Sequence, residues 1–400
     1  MTQNFSFDTP IDRTGTYCTQ WDYVQDRFGK PGLLPFTISD MDFAVAEPVI
    51  QALQQRLEHP VLGYSRWNHD DFKQAICHWY QTRFDCEIDT ESLVYGPSVI
   101  YIVSKLIEQW SVPGQGVVFH TPAYDAFDKM IEGQGRKCIR SPLIKENHRF
   151  EINWQDLESK LSDVNNTVLL LCSPHNPTGR VWSESELQKI ADLCDEYGVR
   201  VISDEIHMDV SFTPHTPYIG FGQTSDWALV TSASKSFNIP ALNGAYALIP
   251  NRKAREQYLY RLKEVDGLSS PSILGVLAMM AAYKEGNSWL NALNEYVLSN
   301  HEYVKATIEQ AFPDICYTVP DSTYLAWLDL SPLNLDMTQL NQALIEQFDV
   351  AIMSGEVYGE SGKGYLRLNL GCPRSKVEVG ITALLNAIRL QYSDVRFGER

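Results

Sequence analysis

The sequence predicts an α/β fold, with a mostly parallel sheet in a large domain and a smaller α+β domain after it. From about residue 45 to residue 250, amphipathic helix patterns alternate with short apolar runs that carry almost no charge. Such runs are typical of strands that are covered on both faces. Long helical patterns follow Leu268-Ser-Ser-Pro271. We therefore expect an N-terminal arm (1–45) belonging to the small domain, a large domain (46–285) and a small C-terminal domain (286–400).

The elements of the large domain can be placed from their periodicity and their caps. Helices are predicted at 47–58, 70–83 and 98–110, and strands at 116–120, 167–172, 199–203, 227–231 and 245–249. A further helix follows Ser183, a capping residue ahead of an acidic first turn, and ends at Gly198. This strand–helix alternation predicts helices on both sides of a parallel sheet, and ligands bind at the carboxyl ends of such strands.

The pattern of the C-terminal region is different. Two long helices are predicted at 273–284 and 289–311. A strand, a helix, a second strand and a last helix then follow at 323–330, 338–348, 364–370 and 376–391. This order is typical of a small α+β domain.

Composition excludes several classes of protein. The sequence has no apolar run of the ~18 residues that a membrane span needs, and its start lacks the features of a signal peptide, so we expect a cytoplasmic protein. Eight cysteines without a Cys-x-x-Cys pair predict buried free thiols rather than disulfides or a metal site. The formal net charge of −17 argues against nucleic acid or an anionic membrane as a ligand.

Two residues at the ends of predicted strands point to a specific chemistry. Asp204 ends the strand Val199-Arg-Val-Ile-Ser-Asp204, and Lys235 follows the next strand within Ser232-Ala-Ser-Lys235. Pyridoxal phosphate requires this combination: an amine that bonds to its aldehyde, a carboxylate that pairs with its ring nitrogen, and hydroxyls that face its phosphate. Because only a deprotonated amine reacts with an aldehyde, Lys235 must lie in a desolvated pocket or near another cation.

Further motifs occur in a fixed order along the whole chain, at 35–43, 63–67, 95–101, 120–124, 173–179, 203–207, 232–240, 365–369 and 372–374. Together they resemble the motifs of the fold-type-I pyridoxal-phosphate enzymes. More narrowly, they resemble the cystathionine β-lyase/C–S lyase branch, which is related to the class I and II aminotransferases. The resemblance implies a mostly parallel seven-stranded sheet in the large domain.

The resemblance also implies residue roles. Lys235 would hold the cofactor and, after substrate takes its place, remove the α-proton, while Asp204 would pair with the ring nitrogen. Arg367 would bind the substrate α-carboxylate through a bidentate fork. The implied cofactor-binding residues are Tyr64, Ser98, Val99, Ile100, Tyr124, Asn176, Asp204, His207, Ser232, Ser234 and Lys235. The implied substrate-binding residues are Tyr64, Asn176 and Arg367.

Some of these roles depend on a helix terminus or on a second subunit. Ser98, with the amides of Val99 and Ile100, would place the phosphate at a helix N-terminus, where free N–H groups and the dipole favour an anion. Tyr124 would stack on the ring. Tyr64 would reach the phosphate from the neighbouring subunit, which implies a homodimer with shared active sites.

Alternatives stay open at several positions. Tyr124 also fits core packing, the motif at Asn176 also fits an ordinary turn, and Arg367 also fits a surface ion pair. His207 stands where many aminotransferases carry a tyrosine that hydrogen-bonds the cofactor. Asn243 stands where they carry a phosphate-binding arginine. Both departures agree with the C–S lyase branch.

The implied reaction is α,β-elimination on L-cystathionine and related cysteine S-conjugates, which gives a thiol (homocysteine from cystathionine), pyruvate and ammonia. A class I/II aminotransferase is the nearest alternative. A serine acyl-enzyme built on Ser232-x-x-Lys235 is disfavoured because its Ser-Asp-Asn and Lys-Thr-Gly partner motifs do not occur. Some members of this branch restrain a transcription activator of the maltose regulon. The resemblance therefore also implies an activator partner, or a mainly regulatory cofactor-binding protein.

Overall fold

A computed structural model describes residues 5–224 and 226–398, with side chains described as far as residue 391. The helices are α1 Val24–Phe28, α2 Glu47–Glu58, α3 Asp70–Phe84, α4 Val99–Trp110, α5 Asp125–Gly133, α6 Trp154–Leu161, α7 Glu184–Tyr197, α8 Ala233–Ser236, α9 Arg252–Tyr260, α10 Ile273–Glu285, α11 Asn287–Ala311, α12 Met337–Glu346 and α13 Arg374–Gly398. The strands are β1 Leu34–Phe36, β2 Leu93–Gly96, β3 Gly116–Thr121, β4 Lys137–Pro142, β5 Ile144–Glu146, β6 Arg149–Glu151, β7 Asn166–Cys172, β8 Arg200–Asp204, β9 Trp227–Thr231, β10 Ala245–Leu248, β11 Leu325–Asp329, β12 Val350–Ser354 and β13 Tyr365–Asn369.

The large domain contains a seven-stranded sheet with the strand order β2-β10-β9-β8-β7-β3-β4. β10 runs antiparallel to both of its neighbours, and the other pairings are parallel. The prediction of a mostly parallel seven-stranded sheet is therefore confirmed. The edge strands β2 and β4 were not predicted from the sequence, because β2 is short and β4 carries the charged residues Lys137 and Arg140.

Helices cover both faces of this sheet, which explains why its strands carry so little charge. Within β3, Val117 belongs to the apolar cluster that includes Ile102 of α4. The next residue, Val118, belongs to the opposite cluster, which includes Ile190 of α7. Successive residues of a strand face opposite sides, so a strand between two helical layers is apolar at every position.

Local capping sets where the covering helix α7 begins and where it ends. The Ser183 hydroxyl accepts a hydrogen bond from the Glu186 amide at 3.3 Å, and the Glu186 carboxylate accepts one from the Ser183 amide at 2.7 Å. This is the capping box that the sequence predicts for α7. Gly198 ends α7 at φ 68°, a left-handed conformation that glycine adopts without a steric penalty.

The small domain has a four-stranded sheet with the order β1-β12-β13-β11. Its outer strand β1 comes from the N-terminal arm and pairs in parallel with β12. Phe36 of β1 is fully buried and packs against α13 at Gly380, where an added Cβ would stand 2.3 Å from the ring. The arm thus packs against the C-terminal helix, and Asp42 of the arm also forms an ion pair with Lys376 of that helix.

Two of the compositional expectations can be compared with the structure. Within the described part of the chain, no helix is both long and apolar enough to cross a bilayer. Of the eight cysteines, only Cys172, Cys194 and Cys372 are buried. Cys316 is exposed and the remaining four are half-buried, so the expectation of uniformly buried thiols is wrong.

Candidate active site

A cavity of about 210 Å³ lies at the carboxyl ends of the central strands of the large sheet. Asp204 reaches it from the end of β8, Lys235 from α8 and Asn176 from the loop after β7. The starts of α4 and α5 contribute Ser98 and Tyr124. The cavity is lined by these predicted site residues: Ser98, Val99, Ile100, Tyr124, Asn176, Asp204, His207, Ser232, Ser234 and Lys235. This is the edge of a parallel sheet at which ligands bind.

Lys235 is held by the N-terminal arm. Its Nζ donates hydrogen bonds to the Ser39 carbonyl at 2.5 Å and to the Ser39 hydroxyl at 3.2 Å. The pKa of the ammonium is lowered to about 8, mainly by burial; the charge of Arg367 also lowers it, while Asp40 and Asp204 act in the opposite direction. A substantial fraction of this amine is therefore neutral near pH 8, as covalent chemistry with an aldehyde requires.

Asp204 is buried with little hydrogen bonding. Its Oδ1 accepts a bond from the Ile206 amide at 3.2 Å. Burial raises the pKa of this carboxyl to about 7, because the charged form is poorly solvated there. A cationic group placed in the cavity would stabilise the carboxylate, and a protonated ring nitrogen is such a group.

The start of α4 lines the same cavity and presents amide donors suited to an anion. The Ser98 hydroxyl caps α4 by accepting a hydrogen bond from the Tyr101 amide at 3.2 Å, so Val99 and Ile100 lie in the first turn, where amides have no intrahelical partner. Ser232 donates to the Gly244 carbonyl at 2.6 Å and accepts from the Ser234 amide at 3.1 Å. α4 therefore directs its positive dipole end into the cavity.

Arg367 on β13 lies behind Asn176 and is buried, which excludes the alternative of a surface ion pair. Its Nη2 donates to the Thr37 carbonyl at 2.5 Å, and its Nη1 donates to Asn176 Oδ1 at 3.4 Å. The guanidinium stands 4.9 Å from the centre of the Tyr358 ring. Its Nε is buried without a partner in the described structure. A buried, unpaired donor of this kind is suited to bind a carboxylate.

Known proteins share both the sequence and the fold. The model of the aminotransferase class I and II family matches residues 31–384. The chain belongs to this family. It is 56% identical over 387 residues to the protein MalY of Escherichia coli, covering 96% of this chain and 99% of that one.

Two further relatives lie close to this chain. Cystathionine β-lyase PatB of Bacillus subtilis is 35% identical over 387 residues, which cover 96% of this chain and all of PatB (100%). The structure of cystalysin from Treponema denticola, which contains pyridoxal 5′-phosphate, matches with a TM-score of 0.91 and 30% identity. That match covers 96% of this chain and 100% of cystalysin.

The cavity of this family member fits pyridoxal phosphate in two respects, and Arg367, behind Asn176, fits an amino-acid substrate. Two ionisable groups with shifted pKa values line the cavity. The pKa of the Lys235 amine is lowered, and the pKa of the Asp204 carboxyl is raised. The amides at the start of α4, with Ser232 and Ser234, suit the phosphate. Arg367 keeps one donor free for the α-carboxylate of an amino acid.

Two predicted residues require separate comment. His207 lines the cavity, and its Nδ1 is buried without a partner among the described residues. Burial lowers the pKa of His207 to about 3, so the imidazole is neutral near pH 7. Tyr64 is fully exposed and does not line the cavity of its own chain. Its contact with a phosphate in a neighbouring subunit stays a prediction.

The sequence analysis missed Ser39 and the wall formed by Phe127, Cys172 and Gly244. Ser39 holds Lys235 mainly through its main-chain carbonyl, which every residue type possesses. No residue pattern could therefore have identified it. Asn243 also lines the cavity, and the sequence did single it out as the position where an arginine is replaced.

Proposed function

We propose that this chain is a pyridoxal-phosphate-dependent carbon–sulfur β-lyase. Its substrates are L-cystathionine and related cysteine S-conjugates, and its products are a thiol, pyruvate and ammonia. The observation that carries the proposal is that Lys235 and Asp204 line the same cavity. Burial shifts the pKa values of both residues toward pH 7. Paired shifts of this kind are characteristic of catalytic sites.

When bound, the cofactor supplies an electron sink for the charge that develops at the substrate α-carbon. Arg367 binds the α-carboxylate and, because Thr37 and Asn176 fix its guanidinium, sets the orientation of the α-carbon. The Lys235 amine removes the α-proton. The Asp204 carboxylate is buried and poorly solvated, and it therefore stabilises a positive charge placed next to it.

The leaving group distinguishes this reaction from others of the family. The bond between the β-carbon and sulfur breaks with both electrons passing to sulfur, which leaves as a thiolate and takes up a proton. With one water consumed, L-cystathionine gives L-homocysteine, pyruvate and ammonia. The 35% identity to a protein named cystathionine β-lyase supports this choice of substrate.

An aminotransferase would share the proton removal but would need an acceptor. The purified holoenzyme is mixed with L-cystathionine, with and without 2-oxoglutarate, and pyruvate and homocysteine are measured. Pyruvate released at the same rate without 2-oxoglutarate supports the lyase. Turnover that depends on 2-oxoglutarate would make the protein an aminotransferase instead.

We also propose a second role, the restraint of a maltose-regulon transcription activator through a surface away from the cavity. The 56% identity to MalY along nearly the whole chain supports it. In a pull-down assay, the Lys235→Ala protein should retain the activator as well as the unaltered protein does. Loss of binding in both proteins contradicts the role, and loss in the variant alone contradicts a separate surface.

A further inference from the structure

An arginine of the N-terminal arm lies next to the α-carboxylate clamp. Arg27 is on α1, and its Nη1 donates to the Met353 thioether sulfur at 3.4 Å. Met353 on β12 is the cross-strand partner of Arg367 on β13. Directly opposed residues of an antiparallel pair extend their side chains on the same face of the sheet. Arg27 is therefore one side chain away from Arg367.

Arg27 is exposed, and its charge has no counter-ion among the described residues. Among the described residues, no carboxylate oxygen lies within 4.0 Å of its guanidinium. The chain has 50 acidic and 33 basic residues, so acidic partners are plentiful. Burial raises the pKa of Tyr358 to about 12, and the charges of Arg367 and Arg27 both act to lower it. The field of Arg27 thus reaches the ring that contacts Arg367.

Arg27 also borders a second cavity, of about 500 Å³, which is lined by residues of the arm between Thr19 and Ile38. Thr37 forms part of its wall, and the carbonyl of Thr37 accepts the hydrogen bond from Arg367 Nη2. Asp26 lines the same cavity and takes part in no ion pair with a described residue. An exposed cation and an exposed anion, neither in an ion pair with a described residue, thus line one cavity, whose wall includes the Thr37 that contacts Arg367.

We propose that Arg27 binds the distal carboxylate of a substrate that carries an amino-acid group on both sides of its sulfur. Asp26 supplies the complementary charge for the distal ammonium. The inference rests on the proposed lyase function and narrows its substrate class, because L-cystathionine has this second amino-acid end and simple S-alkylcysteines lack it. Arg27 is thereby a residue that determines specificity, and Arg367 keeps the α-carboxylate.

The test compares two thioether substrates on the holoenzyme. L-Cystathionine and S-ethyl-L-cysteine are assayed by pyruvate release for the unaltered protein, for Arg27→Gln and for Arg27→Lys. Arg252→Gln is the matched control, because Arg252 is an exposed arginine on α9 that pairs with Glu256. We expect Arg27→Gln to lower the ratio of kcat/KM for cystathionine over S-ethylcysteine about tenfold, mostly through KM, as loss of one charge-assisted bond predicts. Arg27→Lys should recover part of the ratio, and Arg252→Gln should leave it as it is.

A ratio that does not change in Arg27→Gln overturns the inference, as does an equal change in Arg252→Gln. Calorimetric titration of L-cystathionine into Lys235→Ala, with and without Arg27→Gln, measures the same contact without turnover. Weaker binding in the double variant supports the inference even if the unaltered protein releases no pyruvate, in which case only the proposed function fails. Equal binding in the two proteins overturns the inference.

Discussion

At the level of single residues, the chemistry of this site comes from burial more than from neighbouring charges. Desolvation is the largest cause of the lowered pKa of Lys235 and of the raised pKa of Asp204. The nearby charges of Asp40 and Arg367 act on Lys235 in opposite directions. Removing one of these charges should therefore shift the pKa of the Lys235 amine, while removing the amine itself should abolish the reaction.

Replacing Lys235 by alanine removes the group that bonds the cofactor and moves the α-proton. Pyruvate release from L-cystathionine should fall by roughly a thousandfold or more, the usual contribution of a positioned base and nucleophile. Lys253→Ala is the control, since Lys253 is an exposed lysine on α9. Full lyase activity in Lys235→Ala would rule out the assignment.

The lowered pKa of Lys235 predicts how the apoprotein takes up its cofactor. The uptake rate should rise with pH and reach half of its maximum near the amine pKa of about 8, because only the neutral amine reacts. The carboxylate of Asp40 raises this pKa, so Asp40→Asn should move the midpoint to lower pH. Stopped-flow absorbance of the bound cofactor measures the rate.

A matched control for Asp40→Asn is available in the arm. Asp22 accepts hydrogen bonds from the Gly15 and Cys18 amides and is not among the causes of the Lys235 shift. Asp22→Asn should keep the midpoint of the unaltered protein. A midpoint that rises in Asp40→Asn would contradict the electrostatic explanation.

At the level of secondary-structure elements, α4 and α7 begin with the same kind of N-terminal cap but have different roles. Both are capped by a serine whose hydroxyl accepts a backbone N–H, Ser98 in α4 and Ser183 in α7. Only the first turn of α4 faces the cavity. The helix that covers the sheet near the site therefore also supplies an anion site.

Ser98→Ala and Ser183→Ala should each lower the free energy of unfolding by about 1 kcal/mol, the usual cost of losing a serine cap. Only Ser98→Ala should also release cofactor faster, because its cap borders the proposed phosphate position. Denaturant unfolding and equilibrium dialysis measure the two effects. Equal cofactor retention in both variants would show that the phosphate does not lie at α4.

The elements also show how far the sequence alone leads. The central strands β7, β8 and β9 lie close to their predicted limits, because burial on both faces leaves an unbroken apolar run. β1 could not be found, since it has three residues, includes Pro35 and depends on β12 for its hydrogen bonds. Lys235 and Asp204 were predictable from their motifs, whereas the place of Arg27 follows only from a tertiary contact with Met353.

At the level of the whole molecule, the segment around Tyr64 exposes several apolar side chains. Val61 and Leu62 are 63% and 60% exposed, and Tyr64 is fully exposed. Apolar side chains in succession on a surface are typical of a binding interface. This segment surrounds the tyrosine that the sequence predicts at the phosphate of a neighbouring subunit, and the homodimer with shared sites stays a prediction.

Shared sites can be tested by mixing two inactive variants. Lys235→Ala and Tyr64→Ala should each be nearly inactive as pure dimers, and each should sediment at twice the chain mass. After subunit exchange, half of the dimers are mixed and carry one intact site, so activity should return to about a quarter of the original. Exchange without any recovery would place Tyr64 outside the neighbouring site.

The arm joins the two domains through its main chain. Carbonyl oxygens of Thr37, Ile38 and Ser39 accept hydrogen bonds from Arg367, Asn369 and Lys235. Every amino acid carries the same carbonyl, so exchanging these three side chains leaves the acceptors in place. Deleting or inserting one residue would instead move these carbonyls away from their donors, which are fixed on β13 and α8. Variation among natural relatives should therefore alter the residue types of this segment freely and its length hardly at all.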